Sequence, residues 1–65
     1  MYKETLVKLV EEARTRAEEY ISLNIQATLK GVEIDKELYH RNLNFLLGEH
    51  SGLKRALEQI EKLEE

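Results

Sequence analysis

The sequence predicts an all-α fold, an antiparallel two-helix hairpin, and three observations predict it. The chain contains no Pro and is rich in Leu, Glu and Lys, with Ala and Arg, which favour helix almost throughout. Its apolar residues recur at alternating spacings of four and three in two blocks of nearly equal length. One short segment of helix-ending and helix-starting residues separates the blocks. The 65 residues make one domain, 1–65, because a second core cannot be built from so short a chain.

In the first block Leu6, Val10, Ala13, Ala17, Tyr20, Asn24 and Ala27 form one stripe, which places a first helix at about 2–30. Gly31 can take the left-handed conformation that ends it, and Val32 can fold back onto its last turn. Asp35 is a good N-cap, and Ile34 can staple against Tyr39, the fourth residue of the next helix. In the second block Tyr39, Leu43, Leu46, His50, Leu53, Leu57 and Ile60 repeat the rhythm, giving a second helix at about 36–63. So short a loop enforces antiparallel neighbours.

Gly48 and Gly52 open an alternative, a three-helix bundle broken at 48–52, since each glycine costs a helix about 1 kcal/mol relative to Ala. Against the break, the apolar rhythm keeps its phase from Leu46 through His50 to Leu53. In an unbroken helix Gly48, Gly52 and Ala56 form a small-residue track where another helix could approach closely. Counting outward from the loop sets Ala27 opposite Tyr39, Tyr20 opposite Leu46, Ala17 opposite His50 and Ala13 opposite Leu53. The same count brings Arg16 to Glu49 and sets Glu11 and Glu12 near Arg55 and Lys54.

A chain of this size gains little more from burial than ordering it costs, so it needs a further support. There is no Cys, which removes disulfides and thiol-rich zinc sites and suits a cytoplasmic setting. Association remains, and the sequence provides for it. Ile21, Leu23 and Ile25 on the first helix and Leu38, Phe45 and Leu47 on the second lie outside the seam stripe. They are the expected oligomer interface, and a dimer forming a four-helix bundle, or a higher oligomer, is the expected assembly. With 13 acidic and 10 basic side chains and a net charge of −3, broad affinity for nucleic acid or anionic membrane is not expected. The longest apolar run, Phe45-Leu46-Leu47, is far short of the roughly 20 residues of a membrane span.

No residue set has the pattern of an active site, and no cofactor is expected. Glu37 and His40 have the E-x-x-H spacing of di-iron bundles, but Gln26 and Lys30 rather than acids stand opposite. Glu49-His50-Ser51 holds the residue types of a hydrolytic triad, yet successive residues on a helix diverge by about 100° and cannot relay a proton. His50, Asn24 and Asn42 read instead as polar residues that set the register, the two Asn as a pair and His50 partnered by Arg16 or Glu49. Arg41, Lys54 and Arg55 are the candidate contacts for an anion or phosphate.

The stretch Leu46-Leu47-Gly48-Glu49-His50-Ser51-Gly52-Leu53-Lys54-Arg55-Ala56-Leu57 resembles segments of short helical proteins encoded by phages and other mobile elements. That resemblance implies a small protein that binds and modifies a host component, or one that sequesters a nucleotide signal between subunits. The hairpin plan also resembles the plasmid RNA-binding Rop family, with no motif of that family matched residue by residue. The expected function is a non-enzymatic, self-associating protein that works by protein–protein contact, an adaptor or inhibitor of a host protein. The alternatives are a nucleic-acid-binding bundle and an oligomer holding a small anionic ligand between subunits.

Overall fold

The computed structural model describes residues 2–64. It contains two helices, α1 (Tyr2–Leu29) and α2 (Lys36–Glu64), packed side by side in a rod 51 Å long and 18 by 13 Å across. The turn between them is built as its residues require. Gly31 has φ +84°, its N–H donates to the Thr28 carbonyl at 3.0 Å, and the Val32 N–H reaches back to the Ala27 carbonyl at 3.0 Å. Two carbonyls that the helix end would leave unpaired are thereby satisfied. The next helix starts where the Asp35 carboxylate accepts the Leu38 N–H at 3.1 Å and the Asp35 carbonyl accepts the Tyr39 N–H at 2.9 Å. Ile34 and Tyr39, the expected staple, are both half-buried.

α2 runs without a break through Gly48 and Gly52, so the three-helix alternative falls. The unbroken apolar phase explains this, because shielding Leu46, His50 and Leu53 against α1 offsets the poor helix propensity of two glycines. A Cβ at either glycine would meet nothing within 4 Å. The close approach expected along Gly48, Gly52 and Ala56 is therefore not made inside the hairpin.

Both predicted stripes are the shielded faces of their helices. Shielding is shallow, however. Only Ala13 and Ala17, at 0% and 4% exposure, are buried, and no large side chain is fully buried among the described residues. The register differs in detail from a count outward from the loop. Tyr20 stacks on Tyr39, with ring centroids 5.5 Å apart and planes 12° apart, and its hydroxyl accepts a hydrogen bond from Asn42 Nδ2 at 3.2 Å. These contacts lie nearer the loop than Leu46, the residue expected opposite. Interdigitating side chains sit opposite gaps rather than opposite their counterparts, which slides the layers.

Two polar expectations change with the register. Asn24 and Asn42 do not pair, because Asn24 Nδ2 donates to the Tyr20 carbonyl one turn back at 2.7 Å while Asn42 goes to the Tyr20 hydroxyl. Tyr20 thus takes both bonds. The half-buried His50 has neither Arg16 nor Glu49 as a partner, since these two bind each other, Arg16 donating to Glu49 Oε1 at 2.6 Å. That ion pair is one of those expected across the seam. Among the described residues, no ion pair joins Glu11 or Glu12 to Lys54 or Arg55. Lys3 instead ties the open end of the hairpin to Glu64 at 3.2 Å and Glu61 at 4.0 Å.

Candidate interaction surface

Residues seven apart on an α-helix lie on nearly one line, so the Arg16–Glu49 pair can mark one lateral flank of the hairpin. Leu9 and Leu23 stand seven residues either side of Arg16. Ala56 and Leu63 stand seven and fourteen beyond Glu49. Leu38, Phe45 and Gly52 share the adjacent line of α2. Helical geometry puts Ile21, Ile25 and Leu47 on the opposite flank.

The six residues expected to form one interface are thus divided three and three. Leu23, Leu38 and Phe45 occupy the Arg16 flank, with exposures of 63%, 50% and 71%. On the other flank Ile25 and Leu47 are exposed, whereas Ile21 is half-buried by the hairpin itself. A count of apolar residues could not reveal this division, because the flank of each residue depends on its phase relative to the seam.

The α2 part of the Arg16 flank is distinctive in charge. From Leu38 to Leu63 it runs through Asn42, Phe45, Glu49, Gly52, Ala56 and Gln59. Its one charged residue, Glu49, is already held by Arg16. In a chain that is 35% charged, this is a strip a full helix long with one charged group and two amides to desolvate. On the other flank, at the loop end, lies an open groove of about 1080 Å³ lined by Ile25, Leu29, Val32 and Ile34 together with Tyr39 and His40. Of these, the sequence marks Ile25 and Leu29 as apolar residues outside the seam stripe. Val32, directly after the helix-ending Gly31, was not reached as an interface residue, and that position was the signal for it.

The remaining candidates do not converge. Arg41 and Arg55 lie on one line of α2 two heptads apart, about 21 Å along the axis, so within one hairpin they do not close on one small anion. Lys54 points about 100° away from Arg55. Among the described residues no three His, Cys, Asp or Glu gather as a metal site, and no helix is long and apolar enough to cross a membrane. Comparison of the chain with protein-family models, curated proteins and solved structures found no match.

Proposed function

We propose that this chain is a non-enzymatic, self-associating hairpin that closes into a four-helix bundle and acts through protein–protein contact, in keeping with an adaptor or inhibitor of a host protein. One observation carries the reading. Among the described residues ten large apolar side chains stand exposed, while the residues buried outright are two alanines. Covering a large apolar side chain contributes about 1.5–3 kcal/mol, and symmetry multiplies each such contact.

Phe45 provides the test. Phe45→Ser should dissociate or unfold the protein, whereas Glu58→Ala or Lys62→Ala should change the thermal midpoint by less than about 0.5 kcal/mol equivalent. Sedimentation with a parallel melting curve reads both. If Phe45→Ser retains the parent's mass and midpoint, Phe45 is ordinary surface and the reading loses its support.

A further inference from the structure

The nearly uncharged strip of α2 is self-complementary when reversed. Its eight residues from Leu38 to Leu63 repeat at spacings of four and three, which is the spacing of a helix–helix seam. A two-fold axis crossing α2 between Glu49 and Gly52 sets the strip against its own reverse. Phe45, large and exposed, then meets Ala56 of the second copy. Glu49, already neutralised by Arg16, meets Gly52, where bare backbone leaves room for the chain to approach. At the ends Leu38 meets Leu63, and between them the amides of Asn42 and Gln59 meet. Sliding this register by a heptad in either direction leaves one terminal leucine uncovered.

α1 is compatible with the same axis. In the register marked by the Arg16–Glu49 pair, the level of residues 50–51 on α2 is the level of residues 14–15 on α1. An axis there lies half a residue from the midpoint of Glu12 and Arg16, so the long side chain of Glu12 comes within reach of Arg16 of the second copy, while Leu9 faces Glu19 of the second copy. Glu12 makes no ion pair among the described residues, so the Arg16 guanidinium of the second copy, which already holds Glu49, would bridge two acids. Leu23 falls opposite Thr5 in the same register.

We infer that the occupant of the Arg16 flank is a second copy of this chain, docked antiparallel about a two-fold axis between Glu49 and Gly52, with α2 on α2 and α1 on α1. The inference rests on the self-association reading and specifies its face and register. Two such hairpins form a closed four-helix bundle, the isologous contact that ends assembly at a dimer. The loop-end groove on the opposite flank stays outside the interface and remains open to other partners.

The chain has no Cys, so engineered thiols report the register cleanly. A mixture of Leu38→Cys and Leu63→Cys proteins under mild oxidation should yield a covalent species of twice the 7.6 kDa chain mass. Either variant alone should yield at least tenfold less, because like positions are separated by about 37 Å along the bundle in this arrangement. A mixture of Ile25→Cys and Leu47→Cys, on the other flank, should also stay largely uncoupled. If wild-type sedimentation shows a dimer but coupling appears only with the Ile25 and Leu47 thiols, self-association stands and this face is overturned. Coupling of either variant with itself would mean a parallel dimer and would overturn the register. A wild-type mass of one chain at all concentrations would remove both.

Discussion

Arg16 stands at mid-length, bound to Glu49 at 2.6 Å, with the two side chains 47% and 35% exposed. In an isolated hairpin such a pair contributes at most about 1 kcal/mol. Covered by a second copy, its loss would strand Glu49 in the interface, which costs about 3–5 kcal/mol for a buried pair broken on one side. Arg16→Ala should therefore destabilise the protein by more than about 2 kcal/mol, and adding Glu49→Gln should restore most of the loss. Urea denaturation of the two variants measures this. A loss under about 1 kcal/mol without rescue would mean that the pair faces solvent. The pair itself was legible in the sequence, because long side chains tolerate a small error in register. The partners of Tyr20 were not, since a stacked ring and a 3.2 Å hydroxyl contact depend on how the layers interdigitate.

At the scale of the helices, the ends were the most legible features. Gly31 and Asp35 act on backbone groups within four residues of themselves, so their chemistry can be read locally. The continuity of α2 was legible from phase alone. What escaped was the division of the outer apolar residues between two flanks, a property of two helices together. The glycines of α2 turn that division into a prediction. Gly48 and Gly52 have equally open surroundings within the hairpin, yet only Gly52 lies on the Arg16 flank. Replacing either by Gln should improve helix propensity by somewhat under 1 kcal/mol. Gly48→Gln should raise the thermal midpoint and leave the mass unchanged, whereas Gly52→Gln should weaken association at least tenfold. Sedimentation equilibrium separates them, and equal behaviour of the two variants would place the contact elsewhere.

For the whole molecule, stability and assembly are one question. A rod 18 by 13 Å across has little interior, and among the described residues its seam buries only Ala13 and Ala17. The same slenderness leaves both flanks available, one nearly free of unpaired charge along α2 and the other holding the loop-end groove. Folding should accordingly be coupled to dimerisation, and the thermal midpoint should depend on protein concentration. The most direct measurement is the melting curve of the wild-type chain followed over a hundredfold dilution. Linked folding and dimerisation should lower the midpoint by roughly 10 °C over that range. A cooperative transition with a midpoint independent of concentration would show that the hairpin is stable alone, and would contradict the account.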